Sequence, residues 1–133
     1  MFKNEVLKMQ KKIIEEYFNM WLTRDFTKID ELFSSEIIYR ECYGAVYQNL
    51  DEIHSWIKFM LEKQVVLEWQ IKNIFTINKD LYFVEWFFKA KEEKSYSFDG
   101  ISKIIFEDNL IKEIVEYETN DETFRPFKKE NSL

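Results

Sequence analysis

The spacing of hydrophobic residues changes along the chain, from a helical repeat in the first half to strand-like alternation in the second. Apolar side chains recur every three or four positions from Val6 to Trp21, which predicts an amphipathic helix over residues 3–22. A short second helix is predicted to end near Phe33, and a third covers residues 49–63. The rest of the chain alternates between apolar and polar residues, which is typical of β-strands.

One strand is predicted before the third helix and four after it. The earlier strand is SEIIYRECY, and the later ones are VVLEWQIKNIFTI, LYFVEWFFKAK, SYSFDGISKIIF and LIKEIVEY. The turns between the later strands are short, as in antiparallel hairpins. The order ααβαββββ predicts an α+β fold, with three helices packed on one face of a curved, mostly antiparallel sheet. Residues 1–133 are interpreted as one domain, with a polar C-terminal tail at 119–133.

A single acidic residue interrupts the apolar face of the first strand. If Ile37 and Tyr39 point inward, Glu41 and Tyr43 do so as well, because side chains alternate along a strand. A carboxylate on an apolar face is costly unless it is paired, protonated or used in chemistry. Glu41 is therefore the first candidate for a functional residue.

Composition narrows the possible partners and the compartment. Aromatic residues make up 18% of the chain, with only two glycines and one proline, which indicates a core, cavity or interface built from large rings. A net charge of −6 argues against nucleic-acid binding. The apolar runs are too short for a membrane span, and the N-terminus does not resemble a signal peptide. The single cysteine, Cys42, suits a reducing compartment, so we expect a cytoplasmic protein.

Over residues 5–118 the chain resembles the nuclear-transport-factor-2-like superfamily, in its SnoaL-like and ketosteroid-isomerase-like branch. The resemblance rests on the segments YFNMWLTRDFTKIDELFSSEIIYRECYG, NLDEIHSWI, VEWFF and FDGISKIIF, in that order. It implies a cone-like fold whose open end is a ligand pocket between the helices and the bent sheet. Members include isomerases, cyclases, dehydratases, epoxide hydrolases and non-catalytic binding domains, so the fold does not assign a reaction.

Comparison with ketosteroid isomerase implies roles for four residues. Tyr17 falls where the isomerase has the tyrosine that donates a hydrogen bond to the substrate oxyanion, and Glu41 falls where it has the proton-shuttling carboxylate. Ser102 takes the position of the second oxyanion donor, which is a protonated acid in the isomerase. Trp56 matches an aromatic wall of the pocket. The resemblance therefore implies Glu41, Tyr17 and Ser102 as catalytic residues.

The chemistry of two of these residues can be argued without the resemblance. A base that removes a proton next to a carbonyl needs a carboxylate in a partly apolar pocket, where its pKa rises toward the working pH. A neutral phenol such as that of Tyr17 can stabilise the developing enolate. The alternative is that Tyr17 bonds Glu41 or a backbone carbonyl and only closes the core.

Two further acids are predicted to reach the same pocket. The segment YFVEWFF is apolar on both faces, and the isomerase-like register turns Glu85 and Phe87 inward. The last strand would bring Glu116 to the same face, although this residue could instead leave at the pocket mouth into water. Three inward carboxylates would repel one another unless they are protonated, paired with a basic residue or bound to a cationic ligand.

The same register predicts a homodimer. Val84, Trp86 and Phe88 would face outward as an apolar patch, which a second copy could cover across a twofold axis. The competing possibility is that Phe124 and Phe127 of the tail fold back over the patch.

Two functions follow as hypotheses. The first is an isomerase or cyclase-like proton transfer on a small apolar or carbonyl-bearing molecule, with Glu41 as the general base and no cofactor or metal. The second is a non-catalytic ligand-binding or dimerisation domain of the same fold. The predicted ligand-binding residues are Tyr39, Tyr43, Trp56, Met60, Trp69, Glu85, Phe87 and Glu116.

Overall fold

The structure is a computed structural model that describes residues 2–129. Within this range the helices are α1 (Phe2–Thr23), α2 (Ile29–Leu32) and α3 (Leu50–Lys63). The strands are β1 (Phe33–Arg40), β2 (Val46–Gln48), β3 (Val65–Asn78), β4 (Leu81–Lys91), β5 (Ser95–Glu107) and β6 (Leu110–Thr119). The predicted elements are all present, and β2 is an additional short strand.

The strands form one six-stranded sheet in the order β2-β1-β6-β5-β4-β3. Every neighbouring pair is antiparallel except β1 and β6, which are parallel. The register of β3 against β4 shifts at three places, and such bulges bend and twist a strand. The helices cover the inner face of this curved sheet, which confirms the predicted α+β cone.

The core lies between the helices and the inner face of the sheet. The buried stripe of α1 includes Ile14, Tyr17 and Phe18, and α3 buries Ile53 and Trp56 on its corresponding face. This arrangement follows from the three- and four-residue spacing of apolar residues in both helices. The Asn49 side chain accepts a hydrogen bond from the backbone N–H of Glu52 at 3.0 Å and fixes the start of α3.

The predicted facing of β4 is wrong. Val84, Trp86 and Phe88 are buried on the inner face, so they form no outward patch. Glu85 and Phe87 lie on the outer face, where the Glu85 carboxylate accepts a hydrogen bond from the Asn73 side chain at 2.8 Å. Both faces of the strand are apolar, so apolar periodicity could not choose between them. The one charged residue in the run lies on the side that is closer to water.

Gln10 ties α1 to two turns of the sheet. Its buried amide nitrogen donates to the side-chain oxygens of Asp80 at 2.8 Å and Asn109 at 3.0 Å. Its oxygen accepts from the Tyr82 hydroxyl at 2.8 Å and from the backbone N–H of Asp80 at 3.3 Å. Asp80 lies in the β3–β4 turn and Asn109 in the β5–β6 turn, so one side chain holds two hairpins against the helix.

Arg24 joins the end of α1 to the end of α3. Its guanidinium donates to the backbone carbonyl oxygens of Leu61 and Gln64, the latter at 2.8 Å. A cation is favourable at this end of a helix because the last carbonyls lack intrahelical partners and carry a partial negative charge.

The C-terminal segment does not cover the sheet over the part that the structure describes. Residues 120–129 form no helix or strand, and Phe124 and Phe127 are 84% and 94% exposed. The rest of the predicted tail, residues 130–133, lies outside the described residues. Among residues 2–129, no helix combines the length and the apolar character needed to cross a membrane.

Candidate active site

A cavity of about 260 Å³ lies between the helices and the inner face of the sheet. Its walls are mainly aromatic, and its polar lining is mainly acidic. Glu41 lines it, together with six of the eight predicted ligand-binding residues: Tyr39, Tyr43, Trp56, Met60, Trp69 and Glu116. The other two, Glu85 and Phe87, belong to the outer face of β4 and do not line it.

Glu41 is held at the edge of the cavity by the turn that follows β1. Its backbone N–H donates to the Ala45 carbonyl at 2.9 Å, and its side chain accepts from the Tyr47 hydroxyl at 3.0 Å. The residue is only 7% exposed. Burial raises the pKa of the Glu41 carboxyl, and the nearby hydroxyls of Tyr43 and Tyr47 offset part of that rise. Glu41 faces the cavity as expected, although it lies one residue beyond the end of β1.

Glu116 is the second acid of the cavity. It follows the buried Ile114 by two positions on β6, so it faces inward. Its Oε2 accepts a hydrogen bond of 2.6 Å from the Tyr39 hydroxyl. Burial raises the pKa of Glu116 to about 8, the Tyr39 hydrogen bond opposes this rise, and the charge of Glu41 adds to it. The Glu116 carboxyl therefore points into the cavity, and the alternative in which it extends into solvent at the pocket mouth is wrong.

Tyr17 is connected to Glu116 by two hydrogen bonds through Tyr39, and it makes no hydrogen bond to Glu41. The Trp21 indole N–H donates to the Tyr17 hydroxyl at 3.0 Å, and that hydroxyl donates to Tyr39 at 2.6 Å. Tyr17 is fully buried and does not line the cavity. The alternative in which Tyr17 bonds Glu41 is wrong, because the Tyr17 hydroxyl is engaged by Tyr39 and Trp21. Burial raises the pKa of both phenols, so they are neutral hydrogen-bond donors.

Ser102 supports the cavity wall and is not part of the lining. It is fully buried and accepts a hydrogen bond of 2.9 Å from the Trp86 indole N–H. Its position on β5 faces inward as the resemblance implies, but the Trp86 ring stands over it. A role as a direct oxyanion donor is therefore not available to Ser102 in this arrangement.

Tyr47 and Cys42 are among the residues of the site that the sequence did not predict. Tyr47 donates to Glu41 and stacks on Trp56, with ring centroids 4.7 Å apart. The signal that could have found Tyr47 is the presence of a further tyrosine six positions after Glu41. Strand alternation would turn Cys42 away from Glu41, yet Cys42 lines the cavity, because β1 ends at Arg40 and alternation stops there.

The cysteine is not an activated nucleophile. Burial, together with the nearby charges of Glu118 and Glu116, raises the pKa of the Cys42 thiol to about 12. The thiolate is the reactive form, and a raised pKa depletes it.

Part of the cavity lining is a polar cluster from the C-terminal end of α3, the β4–β5 turn and the start of β5. Lys63 pairs with Glu92 at 3.2 Å, and the Tyr96 hydroxyl donates to Glu92 at 2.7 Å. Gln64 donates to Tyr96 at 2.6 Å. Across residues 2–129, no group of three or more His, Cys, Asp or Glu side chains is placed to hold a metal ion.

Comparisons with known proteins agree with the fold. A sequence model described as the SnoaL-like domain matches residues 14–114. The comparison with curated protein sequences gives no match. Similar solved structures include an LEH-like epoxide hydrolase from M. tuberculosis, with a TM-score of 0.75, 13% identity and coverage of 84% of each chain.

Two further structures resemble the chain at similar levels. One is a hypothetical protein with a ketosteroid isomerase-like fold from Catenulispora acidiphila, in complex with trimethylamine (TM-score 0.70, 14% identity, 79% of this chain and 83% of that one). Another is a candidate polyketide cyclase from Xanthomonas campestris (TM-score 0.69, 10% identity, 83% and 90%). At such identities the likeness shows a shared fold.

Proposed function

Because the chain belongs to the SnoaL-like domain family, we propose that it binds a small carbonyl-bearing molecule and catalyses acid–base proton transfer on it. The observation that carries this proposal is the presence of two acids with raised pKa values in one aromatic cavity, Glu41 and Glu116. Two acids whose environments differ can hold different protonation states at the same pH, which is what acid–base catalysis needs.

The two acids take complementary roles in this proposal. Glu41, at the edge of the cavity, is the ionised base that removes a proton from the carbon next to the carbonyl. Glu116 keeps its proton near neutral pH and donates a hydrogen bond to the oxygen of the developing enolate. In an isomerisation, the proton held by Glu41 then returns to another carbon of the same molecule. In a cyclisation, the enolate carbon instead bonds to a second carbonyl carbon of the molecule, and the oxygen of that carbonyl takes the proton, so neither reaction involves net oxidation.

Tyr39 and Tyr17 act as positioning residues. The Tyr39 hydroxyl engages Oε2 of Glu116, so the other carboxyl oxygen is the one available to a ligand. Tyr17 fixes the Tyr39 hydroxyl from behind. Ser102 contributes by holding the Trp86 wall.

The size of the cavity limits the ligand. A water molecule takes up about 30 Å³ in the liquid, so 260 Å³ corresponds to roughly nine waters and suits a one- or two-ring molecule. The chain has one cysteine, Cys42, which cannot form an internal disulfide and so suits a reducing compartment; a cytoplasmic location is part of the proposal.

Deuterium exchange tests the proposed base directly. Cyclohexanone in D₂O exchanges the protons next to its carbonyl slowly, and the wild-type protein should accelerate this exchange. The variant Glu41→Gln should lose at least about 100-fold of the acceleration, because general bases contribute about 10²–10⁴-fold. Glu85→Gln is the matched control, since it makes the same change on the outer face and should leave the rate unaltered. A wild-type protein without acceleration, or an unaffected Glu41→Gln, contradicts the proposal.

A second candidate is binding of a small organic cation without chemistry. Aromatic faces and carboxylates together attract alkylammonium groups, and the C. acidiphila protein of the same fold holds trimethylamine. Titration with trimethylammonium chloride separates the two functions. Tight binding of the amine, combined with no acceleration of ketone exchange, would favour this second candidate over the first.

A further inference from the structure

Two tyrosines from neighbouring strands each bind one of the two cavity acids. Tyr39 on β1 and Tyr47 on β2 lie directly opposite each other in the antiparallel register. Tyr39 donates to Oε2 of Glu116 at 2.6 Å, and Tyr47 donates to Oε2 of Glu41 at 3.0 Å. Each acid therefore has its own phenol, and the short strand β2 supplies one of the two.

The Trp56 ring packs against both tyrosines. Its centroid lies 4.9 Å from that of Tyr39 and 4.7 Å from that of Tyr47, and the Tyr47 ring is stacked on it with 18° between the ring planes. Ring packing of this kind restricts where the two hydroxyls can point. Tyr39 lines the cavity and Tyr47 does not, so Tyr47 can affect a ligand only through Glu41.

The support for the ionised form differs between the two acids. Besides Tyr47, three groups favour ionised Glu41: the Tyr43 hydroxyl, the charge of Lys63 and the Trp56 indole N–H. For Glu116, the Tyr39 hydroxyl favours the ionised form, while burial and the charge of Glu41 oppose it. Donors and nearby cations favour a carboxylate, whereas burial favours the neutral carboxyl. Glu41 is therefore the acid with more support for the ionised form.

Other titratable groups also face the two acids. They are phenols and a thiol from several elements: Tyr17 on α1, Cys42 and Tyr43 after β1, and Tyr96 on β5. Burial raises the pKa of each, so these groups stay neutral over the range in which the acids titrate. The further charged groups of the lining are Lys63 on α3, Glu92 in the β4–β5 turn and Glu118 on β6. Replacing Tyr39 or Tyr47 by phenylalanine leaves all of them in place.

We propose that Tyr47 is the positioning residue that makes Glu41 the base of the pair. Its hydroxyl holds Oε2 of the ionised carboxylate, which leaves Oε1 to take the proton from the ligand. Tyr39 holds Glu116 as the hydrogen-bond donor in the corresponding way. This inference rests on the proposed function and deepens it by assigning each limb of the pH–rate profile to one tyrosine.

The two tyrosines should affect opposite limbs of the profile. The active form has Glu41 ionised and Glu116 protonated, so the rate should rise through the pKa of Glu41 and fall through that of Glu116, about 8. Tyr47→Phe removes a donor to ionised Glu41, so the pKa of Glu41 and the rising limb should move to higher pH. Tyr39→Phe raises the pKa of Glu116 for the same reason, so the falling limb should move to higher pH.

Two measurements test this assignment. Deuterium exchange of cyclohexanone, corrected for exchange without protein, gives both limbs of the profile. On the rising limb Tyr47→Phe should be about five-fold slower than the wild type, the equivalent of one ordinary hydrogen bond, and the difference should shrink as Glu41 becomes ionised. The carbon-13 signal of the Glu41 carboxyl, identified with Glu41→Gln, reports the pKa of Glu41 without a ligand or a reaction.

Tyr82→Phe is the matched control. Tyr82 is buried, donates a hydrogen bond of 2.8 Å to Gln10 and does not line the cavity. Its variant should lower stability and leave both limbs and the Glu41 titration as in the wild type. Tyr47→Leu tests the ring, since it should shift the rising limb as Tyr47→Phe does and also lower the maximum rate, because Trp56 loses its stacked partner.

The outcomes separate the inference from the proposed function. An unchanged pKa of Glu41 in Tyr47→Phe, or a rate that falls equally at every pH, overturns the inference and leaves the proposed base in place. An equal shift in Tyr82→Phe also overturns it, because the loss of any hydrogen bond would then suffice. A raised pKa of Glu41 in Tyr47→Phe, without exchange by the wild type, supports the action of Tyr47 on Glu41 and overturns the proposed catalysis.

Discussion

At the scale of single residues, the proton on Glu116 links the cavity to the stability of the whole chain. Its pKa is raised to about 8 in the folded protein, above the ordinary value near 4.5. Between these values the folded state holds a proton that the unfolded chain has lost. The unfolding free energy contributed by this group is therefore full at low pH and falls as pH rises through the window.

The variant Glu116→Gln should remove this dependence. Relative to the variant, the wild type should lose up to about 1.4 kcal/mol of unfolding free energy per pH unit between about pH 5 and pH 8. Urea melts at both ends of the window measure the difference. Glu118→Gln, an exposed acid on the same strand, is the control and should parallel the wild type. If the unfolding free energies of the wild type and Glu116→Gln depend on pH in the same way, Glu116 is ionised in the folded protein.

The two glycines should respond to alanine for different reasons. A methyl group at Gly100 would meet the Trp86 ring at 2.3 Å and the Tyr117 carbonyl oxygen at 2.5 Å, whereas Gly44 has open space but a φ of +105°. Gly100→Ala should cost about 1–3 kcal/mol through overpacking and shift the Trp86 indole signal. Gly44→Ala should cost about 1 kcal/mol of backbone strain and leave Trp86 unchanged. An undisturbed Trp86 signal in Gly100→Ala would contradict the packing account.

Residue facing was predictable where only one side of a strand is apolar. Alternation from Ile37 predicted an inward Glu41, and the last strand was expected to bring Glu116 to the same face or to the pocket mouth. The prediction for Glu85 failed. Large apolar side chains lie on both faces of β4, and the prediction followed the isomerase-like register instead of the position of the single charge. The engagement of Tyr17 with Tyr39 was not predictable, since it depends on how far α1 stands from β1.

At the scale of elements, Arg24 donates hydrogen bonds to backbone carbonyls at the C-terminal end of α3, which have no partner within the helix. Arg24→Ala should cost about 1–2 kcal/mol, because it removes charge-assisted hydrogen bonds to the carbonyls of Leu61 and Gln64. Arg40→Ala is the matched control, since Arg40 is exposed on β1 and carries the same charge. Thermal melts and amide exchange in the last turn of α3 measure the effect. Equal losses of stability in both variants would show that the effect of Arg24→Ala comes from the change in net charge and not from the hydrogen bonds.

The elements themselves were largely predictable from local pattern. The helical stripe of α1 and the strand bounds of β3 to β6 agree with the structure within about two residues. The short strand β2 was missed, because three residues carry little periodicity and β2 pairs only with β1. The parallel pairing of β1 with β6 lies between segments far apart in sequence, and no local signal encodes it.

At the scale of the whole molecule, the expected homodimer stays a prediction, but its surface changes. The outer face of the sheet presents Ile101 and Tyr117, which are 37% and 55% exposed. They neighbour Lys72 and Asp99, an ion pair of 2.9 Å, so a second copy related by a twofold axis would meet both charges and apolar groups.

The cavity was less predictable than the fold, because its size depends on how helices and sheet are spaced.

Sedimentation at micromolar concentration should give twice the chain mass of 16.4 kDa. Tyr117→Lys should shift the protein to the monomer, because it places a charge in the apolar contact, and its circular dichroism should match the wild type. Phe124→Lys is the control, since Phe124 lies on the exposed segment after β6. A wild-type monomer, or a Tyr117→Lys dimer, would exclude this interface.

The Gln10 amide also has a consequence for the order of folding. Its partners Asp80, Tyr82 and Asn109 are 70, 72 and 99 positions away in sequence, so the hydrogen bonds form only after both hairpins have docked on α1. Contacts that close such long loops late are absent from the folding transition state. Gln10→Ala should therefore accelerate unfolding while leaving the refolding rate close to that of the wild type. Stopped-flow chevrons measure both rates, and a slowed refolding limb would instead place α1 and the two hairpins together at the start of folding.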